Sequence, residues 1–208
     1  MDNRTITPMQ IRTVRYDHPD AKELNDRVQL EYADRYGEPD RTEMDPAHFD
    51  PPAGLYLIAY DADGTPLATG AWRAREHSAE GYSDGDAELK RMYVVPEARG
   101  RGLARRLLAL LEDSAREAGR VRMILETGMK QPEAISLYTS CGYTPTVKFG
   151  YYRCEPDSRC FAKPLAAAPP EQLPEALEAP EAPADQLPRT PPERLAQARD
   201  GATAGDAR

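Results

Sequence analysis

Between Ala87 and Ala115 the chain changes its hydrophobic period once, and that change constrains the fold more than any other stretch. Ala87 to Val95 is a largely apolar run of strand length, closed by Pro96, which has no amide to donate to a ladder. After Gly100-Arg101-Gly102, apolar residues recur at Leu103, Leu107, Leu108, Leu111 and Ala115, forming one stripe of a helix. Arg105, Arg106, Glu112, Asp113, Arg116 and Glu117 take the other side, and Gly119 is the stop. A strand that feeds such a helix through a glycine turn must bury the stripe on a sheet.

The flanking segments supply that sheet. Residues 9–16 alternate as a first strand, and Pro19 opens a helix to about Tyr36, with Leu24, Val28 and Tyr32 four apart and Gly37 as its stop. Residues 38–53 read as loop. Gly54–Tyr60 and Leu67–Arg73 form a hairpin around Asp61-Ala62-Asp63-Gly64-Thr65. A polar loop at 76–86 precedes the central strand. Val121–Glu126 is a further strand, and 132–140 is a short helix opened by Pro132 and closed near Gly142. Tyr143–Arg153 and Ser158–Lys163 are expected as the last strands. The order β-α-β-β-β-α-β-α-β-β predicts an α/β (α+β) fold, a central mixed β-sheet with helices on both faces.

Composition sets where that fold ends. All fifteen aromatic residues of the 208-residue chain lie between Tyr16 and Phe161. Residues 166–208 have none, yet hold eight of the twenty prolines and only four Leu as large aliphatics, too little to offset the entropy of ordering. The expectation is a folded domain at 1–165 and a Pro/Ala/Glu-rich disordered tail at 166–208. The tail carries four Arg against eight acids, so the −8 of the whole chain divides into −4 for the tail and −4 for the body. An acidic body argues against nucleic acid as a partner.

Other classes drop out on residue types. No run of 18 apolar residues spans a membrane, and the charged N-terminus shows no signal peptide, so a cytoplasmic location and no membrane partner are expected. Cys141, Cys154 and Cys160 do not make a disulfide framework, and with His18, His48 and His77 they show no zinc-ligand spacing; no metal is expected. There is no Gly-Lys-Ser/Thr phosphate loop, and the third glycine of a dinucleotide fingerprint is replaced by Arg105.

The glycine turn is the chemical centre of what remains. Gly100 and Gly102, with Ala104 two residues on, let the backbone approach something bulky, and the helix behind them aims unpaired amides at it. Arg99 and Arg101 add cations at an end that is already positive, an arrangement that needs an anion to answer it. A diphosphate answers it; a glycine-rich turn with solvated arginines is the plainer alternative.

Arg99-x-x-Gly102-x-Ala104 after Val94-Val95-Pro96 resembles the acetyl-CoA-binding motif of the GNAT N-acetyltransferases. Gln131-x-x-Ala134-x-x-Leu137-Tyr138-x-x-x-Gly142-Tyr143 resembles that family's second motif, with Gln131 where many members have Asn. The resemblance runs from about Glu88 to Tyr152, and the element order agrees over 9–163. It implies a GNAT-type acyl-CoA N-acyltransferase fold and acetyl-CoA as co-substrate. Met92, Tyr93 and Val94 would line the pantetheine, and Arg99, Gly100, Arg101, Gly102, Leu103 and Ala104 would cradle the diphosphate. Gln131 would contact the pantetheine arm, and the amide near Val94 would polarise the acetyl carbonyl. Tyr138 would protonate or hydrogen-bond the departing thiolate. Glu88 matches a position where some members hold a general base, and a partly buried carboxylate there would have a raised pKa; a strand-edge ion pair with Lys90 and Arg91 is the other reading.

The partner implied is an amine on a small molecule or peptide, attacked directly in a ternary complex, and the family also allows a homodimer. Trp72, Tyr56, Tyr82, Phe149, Tyr151 and Tyr152 are candidates for the acceptor pocket or for core. Glu38, Asp40, Glu43 and Asp45 would attract a cationic acceptor or stand as solvated surface. A non-catalytic acyl-CoA-sensing or partner-binding module is the alternative to an enzyme.

Overall fold

A computed structural model of the chain describes residues 9–165; the tail expected to be disordered lies outside the described residues. Seven strands form one sheet in the order β1-β2-β3-β4-β5-β7-β6. They are β1 Gln10–Thr13, β2 Gly54–Tyr60, β3 Pro66–Arg75, β4 Asp86–Val94, β5 Arg122–Gly128, β6 Thr144–Pro145 and β7 Ser158–Pro164. All neighbours are antiparallel except β4 and β5. The helices are α1 Pro19–Tyr36, α2 Leu103–Glu117 and α3 Pro132–Ser140.

The apolar stripe of α2 packs as its period demands, with Leu103, Leu107, Leu108, Leu111 and Ala115 buried against the sheet. Trp72 of β3 reaches it and donates its indole N–H to Ser114 at 3.2 Å. The opposite face takes α1, whose Ala21, Leu24 and Val28 are buried; Asn25 there accepts the Tyr56 hydroxyl at 3.1 Å. Gly37 ends α1 at φ 88°, a left-handed turn that glycine adopts without strain.

Two irregularities shape the middle of the sheet. β4 and β5 pair only from Asp86↔Arg122 to Glu88↔Ile124, although both strands continue, so they diverge and leave a gap beyond Glu88. Next to that gap β4 carries a bulge. The register passes from Thr69↔Tyr93 to Ala71↔Lys90, setting Arg91 and Met92 opposite the single residue Gly70. Arg91 is held at φ 55°, and a Cβ at Gly70 would collide with Met92 Sδ.

One segment departs from the sequence expectation. Tyr143–Arg153 is strand only at Thr144–Pro145. The last rung runs from Thr146 N to Cys160 O at 3.0 Å, and beyond it Gly150 turns at φ 76° with its amide on Glu80 O. The freed stretch packs Phe149 on Tyr82, ring centroids 5.3 Å apart, and carries Tyr151 and Tyr152 away from the sheet. Short 3-10 turns at Pro46–Phe49 and Pro96–Ala98 lie within stretches without predicted helix.

Candidate functional site

The glycine turn forms an open cradle. Gly102 is the N-cap of α2 at φ 76° and Gly100 stands at φ 75°; a Cβ on either would meet nothing within 4 Å. The first backbone bond of the helix runs from Arg106 N to Gly102 O, so the amides before it face outward, unpaired by the helix. Arg101 is exposed beside them. Arg99 is not free: its Nε donates to Val94 O at 3.1 Å and its Nη2 to Glu31 at 2.6 Å. An anion arriving at this turn competes with Glu31 of α1 for that guanidinium.

The gap between β4 and β5 forms a small cleft. Leu89, Lys90, Arg91 and Met92 wall it from β4, Glu126 and Thr127 from β5, and Gln131, Ala134 and Tyr138 from α3. Tyr138 is 6 % exposed and sits edge-on to Tyr143. Burial pushes its phenol pKa up, with Tyr32 and Cys141 adding to the shift. Gln131 caps α3 and its amide donates to the Tyr36 hydroxyl at 3.3 Å. The Arg91 guanidinium is buried and stands 3.4 Å from Asp40.

Glu88 is neither exposed nor at an edge. Its side chain is 1 % exposed and meets Arg73 at 2.8 Å, Arg75 at 2.7 Å and Lys90 at 3.1 Å. Burial alone would raise its pKa, but Lys90, Arg73 and Arg75 outweigh burial and hold the carboxyl at about 2. The expected raised pKa is thus reversed: the excess of cations around the group decides its direction.

A larger cavity, of about 420 Å³, shares six of its lining residues with the cleft: Tyr32, Asp40, Lys90, Glu126, Thr127 and Gln131. Its outer wall comes from residues 38–42 on one side and from Tyr151, Tyr152, Glu155, Asp157 and Ser158 on the other. Glu126 lies where cleft and cavity meet, and its Oε1 accepts the Ser158 hydroxyl at 2.6 Å. Burial raises its pKa, assisted by Glu88 and Asp40 and opposed by the Ser158 hydrogen bond and Lys90.

Comparison with known proteins now bears on this arrangement. The model of the acetyltransferase (GNAT) family matches residues 22–143. The chain belongs to the GNAT family. An IAA acetyltransferase of Azospirillum brasilense is 46% identical over 81 residues, 39% of this chain and 53% of that protein, so the chain spans about half of that relative's length. A Klebsiella pneumoniae structure assigned to the acyl-CoA N-acyltransferases superposes with TM-score 0.61 at 28% identity, covering 76% of this chain and 99% of its own. A Salmonella typhimurium protein solved with acetyl-CoA superposes with TM-score 0.56 at 23% identity, over 79% and 98% of the two chains, and shares the fold. The mixed sheet with helices on its two faces is the GNAT fold.

Within this GNAT domain the expected site residues fall into two groups. Met92, Gly100, Gly102, Gln131 and Tyr138 lie along the cradle and cleft and Val94 gives its carbonyl to Arg99, whereas the Tyr93 and Leu103 side chains are buried in the core and Glu88 is locked in its ion cluster. Of the six aromatic acceptor candidates only Tyr151 and Tyr152 line the cavity; Trp72, Tyr56, Tyr82 and Phe149 are core. Glu38 and Asp40 line it as well, but Glu43 and Asp45 do not: Glu43 O accepts Arg73, and Asp45 caps a 3-10 turn. Glu126, Tyr32, Tyr36 and Asp157 were not singled out from the sequence. For Glu126 a signal existed, since a carboxylate closing an apolar strand is costly to bury without a purpose. For Asp157 none did.

Among the described residues no helix is long and apolar enough to cross a membrane, and no group of three or more His, Cys, Asp or Glu is arranged around a metal site.

Proposed function

We propose that the chain transfers an acetyl group from acetyl-CoA to an amine bound in the 420 Å³ cavity, by direct attack with both reactants on the enzyme. The observation that carries this reading is the gap beyond Glu88, whose β4 wall leads into the glycine cradle and whose β5 wall also lines the cavity. The residues fit the coenzyme: two glycines at positive φ leave the amides at the start of α2 unobstructed, and Arg101 stands ready beside them. Arg99 and the backbone of Leu103 and Ala104 complete the diphosphate cradle, and the β4 backbone at Met92, Tyr93 and Val94 lines the pantetheine path with Gln131. Bound there, acetyl-CoA supplies an acyl group activated as a thioester.

The chain's own groups manage the protons. As the new N–C bond forms and the C–S bond breaks, Glu126 takes the amine proton, because its raised pKa makes it a stronger base than an ordinary carboxylate. Tyr138 donates a hydrogen bond to the departing thiolate, which takes its proton from solvent; burial raises the phenol pKa, so the proton stays on Tyr138. Glu88 holds Lys90 and the two arginines in place and takes no proton.

Acetyl-CoA is expected to raise the melting temperature of the protein, and Gly102→Glu to abolish that rise. The added carboxylate would stand in the cradle, and a non-glycine residue at φ 76° adds about 1 kcal/mol of strain. No stabilisation of the wild type by acetyl-CoA would end this proposal. Stabilisation without CoA release from any amine would favour the sensing module instead. Tyr138→Phe should lower kcat about tenfold with acetyl-CoA affinity unchanged, since a thiolate of pKa about 8.5 needs little help to leave; stopped-flow CoA release checks this. We also take residues 1–165 as the active unit, because Leu165 is buried and its amide bonds Val121 O. A chain ending at Leu165 should keep full activity in the same assay.

A further inference from the structure

We propose that Arg91 holds a carboxylate of the acceptor, which makes the acceptor an α-amino acid with its amino group at Glu126. The inference rests on the transferase reading above and names the substrate class of that site.

Arg91 stands in the bulge of β4 at φ 55°, a left-handed backbone that an arginine adopts only against a steric penalty. The bulge decides where its side chain goes. In an unbroken strand Arg91 would point to the opposite face of the sheet from Lys90. Instead both cations lie close enough to Asp40 to hold its carboxyl below the usual carboxylate range, and Arg91 Nη1 is 3.4 Å from that carboxylate. Arg91, Asp40 and Glu126 all line the cleft between β4 and β5.

The Arg91 side chain is 5 % exposed, and its guanidinium has fewer partners than it can use. Nε and Nη1 are sealed from solvent without a hydrogen-bond partner; Nη2 is not sealed and makes no hydrogen bond among the described residues, so a molecule in the cleft can reach it. Asp40 answers only in part, since its Oδ1 already accepts the Thr42 amide at 2.9 Å. Neighbouring cations are better served: Arg73 has Glu88 and Glu43 O, and Arg75 and Lys90 have Glu88. Four cations thus share two paired acids, Glu88 and Asp40. Glu126 is the third acid within range, and in the proposed reaction it takes up a proton and loses its charge. A buried excess of positive charge calls for an anion, and a planar guanidinium with unpaired N–H groups suits a carboxylate. The cleft sets how close amine and carboxylate must be. It encloses about 70 Å³, room for roughly two water molecules, so the groups that meet Arg91 and Glu126 belong to one short fragment. An amine and a carboxylate on the same carbon form that fragment, and the side chain continues into the 420 Å³ cavity.

The test measures CoA release by the full-length protein from the twenty common L-amino acids, each beside its carboxamide, and from butylamine. For the best amino acid, kcat/KM should exceed that of its amide at least about tenfold, with the difference mainly in KM. Arg91→Met should bring the ratio to within about threefold of one, and Arg91→Lys, which keeps the charge but not the fork, should fall between. If Arg91→Met does not fold, the wild-type ratio and Arg91→Lys decide. Equal use of acid and amide by the wild type, or turnover of butylamine but of no amino acid, overturns the amino-acid inference and leaves the transferase standing. An unchanged ratio in a folded Arg91 variant also overturns it, since the carboxylate then binds elsewhere. So does a wild type that prefers succinyl-CoA to acetyl-CoA with the amides as acceptors, because the anion at Arg91 then arrives on the acyl chain. No CoA release from any amine, with acetyl-CoA still stabilising the protein, overturns the transferase reading itself.

Discussion

Glu126→Gln should lower kcat by about a hundredfold or more near neutral pH while leaving acetyl-CoA binding intact. Gln keeps the shape and can still face Ser158, but it cannot take a proton, and the acceptor amine, with a pKa near 10, must lose one before it attacks. The pH profile separates this role from a packing role. In the wild type, kcat should climb as pH rises through the raised pKa of Glu126, above the usual carboxylate range. In the variant that limb should vanish, leaving only the slope set by the free amine fraction. Stability should move the other way. A carboxyl with a raised folded-state pKa favours the folded protein as pH falls through that pKa and burdens it above. Removing the charge should therefore leave the melting temperature at pH 7 unchanged or higher. A variant with normal kcat, or one that keeps the acid limb, would remove Glu126 from the proton path.

That assignment shows where sequence reasoning succeeds and where it stops. Helix α2 is legible because five apolar residues at helical spacing leave one way to bury them, and α1 and α3 end where Gly37 and the turn at Cys141–Gly142 end them. Local signals of this kind also locate the glycine cradle. The overextended strand at 143–153 fails for a non-local reason: Tyr82, 67 residues away from Phe149 in sequence, draws that stretch off the sheet. Glu88 and Glu126 fail in the same way. Both are acids on neighbouring strands, and their residue types give them equal claim to be a base. Lys90 beside Glu88 is within reach of the sequence, but only the third dimension adds Arg73 and Arg75, takes Arg91 away to Asp40, and sets Ser158 beside Glu126. The cavity wall is less legible still, because Tyr32, Asp40, Glu126 and Asp157 come from four separated segments.

Glu88→Gln should destabilise the folded protein by about 3–5 kcal/mol, the cost typical of removing one partner from a buried ionic cluster. Arg73 is as buried as Glu88 and already has an unsatisfied Nη2; its Nε, the Nε of Arg75 and the Lys90 ammonium would all lose their shared acceptor. Gln can accept one of those bonds but neutralises none of the three charges. The wild type should report the same cluster through pH. The folded-state pKa of Glu88, about 2, lies below its ordinary value of 4.5, so the carboxylate contributes its full stability above that ordinary value. The contribution is then lost as pH falls from about 4.5 towards 2. Denaturant unfolding followed across that window should show the wild-type curve bending down towards the variant's, the two converging at the acid end. Over the pH range where Glu88→Gln protein stays folded, kcat should keep its acid limb, because Glu126 still carries the proton. If that limb disappears with Glu88 and persists without Glu126, the base is Glu88 and the two acids exchange roles.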